Sequence, residues 1–477
     1  MRSDHGLPEL VYVDLDGTLI QSDLLFESLA MMLREAPWRF LLLPLWLLRG
    51  RARLKEKLSG EYLPDATVLP YRGRVLEYLG IQKMRGRRLI MATASAETAA
   101  REVAAHLGLF DEVLASSMDH NLKGGKKAAR ILEHAAGRPF TYVGDNAADL
   151  LIWQHAASSI LVAASGSVRA EVMKRIPVEA EFDEPRRFLP YVQAIRVHQW
   201  LKNFLVFVPL MVAHRWSDFD AALAAVWAFV AFCACASSIY LLNDILDLAA
   251  DRRHPRKRAR PLASGAVPLS HALLLVAPLL ASGLWISASL GLPFLAAIGG
   301  YVATTLLYSM YFKEYVLIDV FLLAVLYTVR VIAGAAATTI VPSFWLLAFS
   351  MFLFFSLALV KRCSELLAID KAGRSASYGR DYRTADYAVL QSLGVASGIA
   401  AVVVFALYID SPIVVEAYTH PQALWAICGT LAYWVGRMWV KTARGEMHDD
   451  PLVYAAKDRA SAVMGLISLA SFLVAVW

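Results

Sequence analysis

Residues 240–265 read YLLNDILDLAADRRHPRKRARPLASG and close an apolar run of membrane-spanning length at 221–243. Asp244, Asp247 and Asp251 stand at i, i+3 and i+7, which stacks three carboxylates on one helix face, with Asn243 beside them. Ionisable groups at the end of a membrane helix are costly to desolvate, so they point to function. Three like charges on one stripe repel unless a cation joins them, and Mg2+ carrying a diphosphate is the natural solution. A merely solvated acidic helix end would leave unexplained the dense basic segment that follows, in which Lys257 and Arg260 are placed to hold phosphate oxygens.

Outward from this stretch the chain is apolar. Nine segments are expected to cross or enter a bilayer: 204–213 with its flanks, 221–243, 271–290, 292–308, 315–337, 344–360, 388–409, 423–440 and 460–477. The first is short and reads as interfacial at its start. Loops rich in Lys and Arg (DRRHPRKRAR, KRCSELLAIDKAGRSASYGRDYR, KTARGEMHDDPLVYAAKDR) follow the second, sixth and eighth segments, whereas SLGLP and TTIVPS carry no basic residue. The positive-inside rule then places the even-numbered ends and the N-terminus in the cytoplasm, with the helices in the cell inner membrane.

The totals agree. Hydrophobic residues make up 58% of 477 and charged ones only 18%, with a mean hydropathy of +0.48, well above a soluble protein. A net charge of +6 fits the loop bias and is too small and discontinuous for a nucleic-acid binder. None of the four cysteines forms a C-x-x-C pair, so neither disulfide nor zinc is expected. No apolar signal segment precedes residue 10, so no signal peptide is expected.

Before residue 196 the pattern changes to short apolar runs alternating with amphipathic stretches, as an α/β domain requires. LVYVD, RRLIMAT, TYVGD and SSILVAA read as strands of a parallel sheet. AETAAREVAAHLG and KKAARILEHAAG read as crossover helices, the latter closed by its glycine. WRFLLLPLWLLRGRARLKEKL is too short to span and reads as a cap helix or a membrane-leaning surface. Residues 1–177 are therefore expected to form a soluble domain, 178–195 a charged, proline-punctuated linker and 196–477 the membrane domain.

In VYVDLDGTL, Asp14 and Asp16 sit at the C-terminal end of a strand, the edge where parallel sheets bind ligands. Two acids on such a turn can share Mg2+ and leave one oxygen free to attack phosphorus. Thr93 ends LIMAT, Lys127 lies in LKGGKKAAR, and Asp145 and Asp149 lie in GDNAAD. These pieces, in this order, resemble the haloacid dehalogenase (HAD) phosphatases, with a Rossmann-like fold, over about residues 8–165. The resemblance implies that Asp14 is the nucleophile, Asp16 the general acid/base, and Thr18, Thr93 and Lys127 the phosphate holders. Asp145, supported by Asp149, completes a Mg2+ site with Asp14 and Asp16. Lys123 and Lys126 are the alternatives to Lys127.

N-D-x-x-D-x-x-x-D followed by R-P-L-A-S-G resembles the UbiA superfamily over about residues 192–477. This implies an all-α bundle of nine membrane helices and Mg2+-dependent transfer of an organic group from a diphosphate donor, with Asp244 and Asp247 catalytic and Asp251 a further metal ligand. The superfamily's prenyltransferases carry a second D-x-x-x-D cluster. The corresponding stretch here reads LYSMYFKEYVLIDVFLLAVLYTVRVIAGA, with Tyr308, Lys313, Asp319 and an intramembrane Arg330. With RVHQWLKN (Lys202, Asn203) and VKRCSE (Lys361), it resembles the decaprenyl-phosphate phosphoribosyltransferase branch, whose donor is phosphoribosyl pyrophosphate (PRPP) and whose acceptor is a polyprenyl phosphate. A charged sugar donor and an anionic lipid head call for extra cations, which these residues with Asn243, Lys257 and Arg260 supply. A prenyltransferase with an aromatic acceptor is the competing expectation; a transporter fits the acid stripe poorly.

Overall fold

The computed structural model describes residues 7–48, 50–117, 122–183, 188–371, 373, 380–447 and 450–477, with backbone alone at 51, 52 and 413. Residues 184–187 of the linker and 372, 374–379 and 448–449 of the later basic loops lie outside the described residues. The chain divides into two compact units, Met1–Ile195 with Tyr240–Leu275, and Arg196–Ile239 with Val276–Trp477. The acid stripe and its basic tail thus group with the N-terminal part of the chain.

The first unit is built on a six-stranded, all-parallel sheet: β1 (Leu10–Val13), β2 (Arg88–Ala96), β3 (Glu112–Ser116), β4 (Phe140–Gly144), β5 (Ser158–Val162) and β6 (Val178–Phe182). Their spatial order is β3-β2-β1-β4-β5-β6. β1, β4 and β5 are buried at every position, as strands covered on both faces must be, which is why they read as continuous apolar runs. The edge strands EVLAS and VEAEF are only half-buried and carry glutamates, an edge composition that hides a strand from a search for apolar runs. β6 corrects the expected linker, because residues 178–182 pair with β5. Both expected crossover helices form, Glu97–Leu107 and Gly125–Ala135, although in the second Ala136 takes the left-handed position ahead of Gly137.

Between β1 and β2 the chain inserts helices Leu24–Glu35, Leu43–Leu48 and Arg51–Glu61 with a 3-10 stretch at Pro37–Leu42. Trp46 packs with Met32, Leu58 and Tyr62, while Trp38, Leu41 and Leu48 are exposed. The stretch is thus a cap element with an apolar outer face.

Among the described residues, seven helices are long and apolar enough to cross a membrane: 219–246, 269–289, 292–310, 318–337, 344–371, 384–409 and 459–476. The expected count of nine is not reached on this measure. The first expected segment breaks into a 3-10 stretch, Val197–Phe207, and a five-residue helix, Val208–Val212. The eighth, Leu424–Ala443, is a full helix that carries Arg437 and Lys441 among its apolar residues. Apolar faces such as Trp285, Leu292 and Leu466 stand exposed, the surface that lipid covers in a multi-pass membrane protein. Inside the second unit, helix 318–337 approaches the 3-10 stretch closely at Gly334, where a Cβ would lie 2.0 Å from the Val206 carbonyl oxygen.

Candidate functional site

Strand order reverses beside β1, so the carboxyl ends of β1 and β4 open a crevice where ligands bind. Asp14 follows β1, and its amide is anchored to the Val143 carbonyl at 3.0 Å; Asp145 follows β4. Both line a cavity of about 470 Å3. Asp14, Asp145 and Asp149 bring one oxygen each to within 4.8 Å of one another. Among the described residues a single buried ammonium answers them, Lys127 Nζ, 2.8 Å from Asp14 and 3.8 Å from Asp149. Burial, aided by the neighbouring carboxylates, pushes Asp14 and Asp145 each up to about 7. This excess of buried negative charge is relieved either by protons or by a divalent cation, and the all-oxygen donor set fits Mg2+. Asp149 acts chiefly as a brace. Its oxygens accept from the Tyr142 hydroxyl at 2.7 Å and from the amides of Asp145 and Asn146 at 3.2 and 3.3 Å.

Asp16, expected among the metal ligands, stands outside that group of three. Its carboxylate accepts from the Leu24 amide at 2.9 Å and the Ser95 hydroxyl at 2.5 Å, and burial raises it to about 6. Thr93 is fully buried, donating to Asp16 at 3.4 Å and accepting from the Ser95 amide at 3.0 Å; it does not line the cavity. Thr18 is also buried and donates to Asp145 at 3.2 Å. Both threonines therefore hold carboxylates in place. Among the three candidate lysines, Lys127 is buried against Asp14, whereas Lys123 and Lys126 are exposed. Sequence reasoning passed over Ser95, Lys55 and Arg72. Lys55 and Arg72 line the cavity from the inserted helices and the loop after them, and no motif spacing marks them.

The acid stripe is not one unbroken helix. Helix Phe219–Leu246 stops before Asp247, and a second helix, Leu248–Arg253, starts after it. Helical hydrogen bonds still run through the joint, from the Asp247 amide to Asn243 and from the Asp251 amide to Asp247, at 2.9 and 2.8 Å. Asp244 and Asp251 are buried and share the Arg260 guanidinium, at 3.2 and 2.5 Å. Lys257 lies 3.7 Å from Asp251. The two cations expected to face phosphate instead pair with the carboxylates. Among the described residues, the three acids do not close into a group as tight as that around Asp14. Asn243 Oδ1 is buried without a hydrogen-bond partner, an open acceptor that suits a hard cation beside the stripe.

In the second unit, Lys202 pairs with Asp450 at 2.7 Å, and Lys361 lies 3.8 Å from the same carboxylate. Asp450 was not anticipated; it caps helix Pro451–Lys457 inside a loop read only for its positive charge. Arg330 is buried against the rings of Tyr301, Tyr327 and Phe232. It donates to Asn203 at 3.0 Å, to the Tyr301 hydroxyl at 3.2 Å and to the Leu326 carbonyl. Among the described residues it has no carboxylate partner, so its charge is held by neutral groups alone. Asp319, expected to bind substrate, is fully buried against Arg362 and the Tyr382 hydroxyl; its carboxylate is committed to holding the bundle. Tyr308 and Lys313 are half-buried at and just beyond the end of helix Leu292–Met310.

Two family models match the chain, the UbiA prenyltransferase family over residues 204–457 and haloacid dehalogenase-like hydrolase over 11–153. Uncharacterized protein y4nM of Sinorhizobium fredii is 34% identical over 99% of this chain and 92% of its own length. Nodulation protein NoeC of Azorhizobium caulinodans is 38% identical over 58% of this chain and 90% of its own. A decaprenyl-phosphate phosphoribosyltransferase of Mycolicibacterium smegmatis is 35% identical over 46% of this chain and 69% of its own.

Proposed function

Because this chain belongs to the UbiA prenyltransferase family and carries a haloacid dehalogenase-like hydrolase domain, we propose that it makes a polyprenyl-phosphate pentose in two steps. The membrane half transfers phosphoribose from PRPP to a polyprenyl phosphate, and the hydrolase half removes the 5-phosphate of that product. The observation that carries the choice of donor is the state of Asp319. The stretch in which the family's prenyltransferases hold a second acid cluster offers two carboxylates five positions apart, Glu314, which is exposed, and Asp319, which Arg362 and Tyr382 engage. Cations remain nearby in sequence: Lys313, and Arg330 with no anionic partner among the described residues. A sugar phosphate donor and an anionic lipid head make use of such charge; an apolar prenyl donor does not. The named M. smegmatis relative supports the same choice.

In the membrane half, Asn243, Asp244, Asp247 and Asp251 would hold Mg2+ with the donor diphosphate, where the ion stabilises the charge that develops on departing pyrophosphate. Arg260 and Lys257 would turn from the carboxylates to the phosphate oxygens. In the hydrolase half, Asp14 and Asp145, braced by Asp149, would hold Mg2+, an ion that would neutralise charge on the phosphoryl group. Asp14 attacks phosphorus, Lys127 steadies both it and the phosphate, and Asp16 hands a proton to the leaving sugar oxygen; water, giving a proton back to Asp16, then displaces the phosphoryl group from Asp14 as inorganic phosphate. A carboxyl raised to about 6 suits that proton transfer near neutrality. The positive loops support a cytoplasmic N-terminus in the cell inner membrane, which would put the 5-phosphate and the phosphatase on one side.

The test is purified protein in lipid, offered labelled PRPP with polyprenyl phosphate, and geranyl diphosphate with an aromatic acceptor. Consumption of PRPP alone is the expected result. If only the prenyl diphosphate reacts, the phosphoribosyl reading is lost and the prenyltransferase reading stands.

A further inference from the structure

The cavity around Asp14 has a wall that the hydrolase motifs do not account for. Gly265, Pro268, Leu269 and Ser270 line it together with Asp14, Lys127 and Asp145. These residues lie more than eighty positions beyond the last sheet strand, immediately after the basic tail of the acid stripe, and within the same compact unit. Their seat is built. Gly265 has a φ of +80°, and a Cβ there would fall 2.5 Å from both the Cβ and the carbonyl oxygen of Gln21, so only glycine lets the loop lie this close to the turn after Asp16. Behind the loop stands Arg252, whose guanidinium donates to both oxygens of Glu27 at 2.9 and 2.7 Å and to the Ala263 carbonyl at 3.0 Å. The Arg252 and Glu27 side chains are only 6% and 4% exposed. Arg253 adds an outer pair with Asp65. A buried, doubly bonded arginine that also grips the backbone of the loop sets the loop's position with little slack.

We propose that residues 265–270 form the substrate-selecting wall of the phosphatase cavity and that Arg252, through Glu27 and Ala263, is the positioning residue that holds it. The inference rests on the phosphatase reading and extends it. The wall meets the part of the substrate beyond the phosphoryl group, so a large phosphomonoester, a phosphorylated sugar on a lipid phosphate, depends on it. A small ester that reaches only Asp14 and Lys127 does not.

The test compares two probes on the full chain in detergent with Mg2+: p-nitrophenyl phosphate, and synthetic farnesyl-phosphoryl-ribose 5-phosphate. Arg252→Ala is expected to raise KM for the lipid-linked probe by at least about ten-fold, since small misplacements of positioning groups carry such effects. kcat/KM for p-nitrophenyl phosphate is expected to stay within about two-fold of wild type, consistent with loss of binding to the remote part of the substrate alone. Arg252→Lys, which keeps a bond to Glu27, is expected to recover part of the loss. If Arg252→Ala does not fold, Glu27→Gln, which keeps the shape of the buried partner but weakens its hold on Arg252, must show the same split. Equal loss on both probes, or no loss on either, overturns the wall. Wild-type protein that hydrolyses neither probe overturns the phosphatase reading itself, a distinct result.

Discussion

Two clusters of aspartates in this chain handle the same problem differently. Around Asp14, three carboxylates crowd within 4.8 Å and meet one lysine among the described residues, and burial drives protons onto Asp14 and Asp145. Along the stripe, Asp244 and Asp251 are also buried, yet Arg260 bridges them and Lys257 approaches from the next turn. The first cluster is left wanting a cation; the second brings its own, which under the proposed function it would exchange for a metal diphosphate. The lesson is that acid spacing does not by itself define a metal site. What matters is whether the chain also supplies a counter-charge that reaches the same oxygens.

The strongest way to break the comparison is at Asp14. Asp14→Asn removes the nucleophile while keeping its shape and is expected to cut phosphate release by at least about 10^3-fold, leaving transfer intact. Phosphorylated pentosyl lipid should accumulate, one phosphate heavier than the wild-type product by mass spectrometry of the extracted lipid. Identical products from both proteins would end the two-step scheme. Next is Asp244→Ala, expected to lower transfer by at least about 10^2-fold with phosphatase activity retained. Metal-free stability should barely change, because Arg260 keeps Asp251. A large fall in melting temperature would mean that the stripe is structural.

A third substitution separates the site from the scaffold. Asp319→Asn leaves the buried Arg362 with Glu365 as its remaining acid, so the cost falls below the roughly 3–5 kcal/mol of a fully unpaired buried charge. The melting temperature should fall markedly while KM for PRPP in the folded fraction stays near wild type. A KM change without a stability loss would return Asp319 to the substrate site.

The smallest effect is one of pH. Asp14 and Asp145 titrate near 7 in the folded, metal-free hydrolase and near 4 when unfolded. Between these values the folded state binds more protons, so its stability falls as pH rises from about 4 to about 7 and is level above that. Without metal, the transition of the hydrolase part should drop by several degrees across this window. Saturating Mg2+ should flatten the dependence, since the ion replaces the protons. An equally steep slope with Mg2+ present would remove these carboxylates from the metal site.

The comparison also explains what could be read early. Apolar runs that are buried on both faces declare themselves by composition, so β1, β2, β4 and β5, most of the membrane helices and the Asp14 and Asp244 motifs were legible as residues in a row. The half-buried edge strands β3 and β6 were not, because Glu112 opens the first and Glu179 and Glu181 alternate through the second, which leaves only short apolar runs. Lys127 could be separated from Lys123 and Lys126 only once the helix carrying it showed which lysine faces Asp14.

The sequence by itself determined the two families, the order of the two parts and the identity of the acids, because those depend on composition and local spacing. Tertiary structure alone decided the partners: Arg260 between Asp244 and Asp251, Arg362 on Asp319, Asp450 beneath Lys202, and Arg252 gripping Glu27 from 225 residues away. A charge in a low-dielectric interior is defined by what lies within about 4 Å of it, and in a folded chain that neighbour is most often distant in sequence.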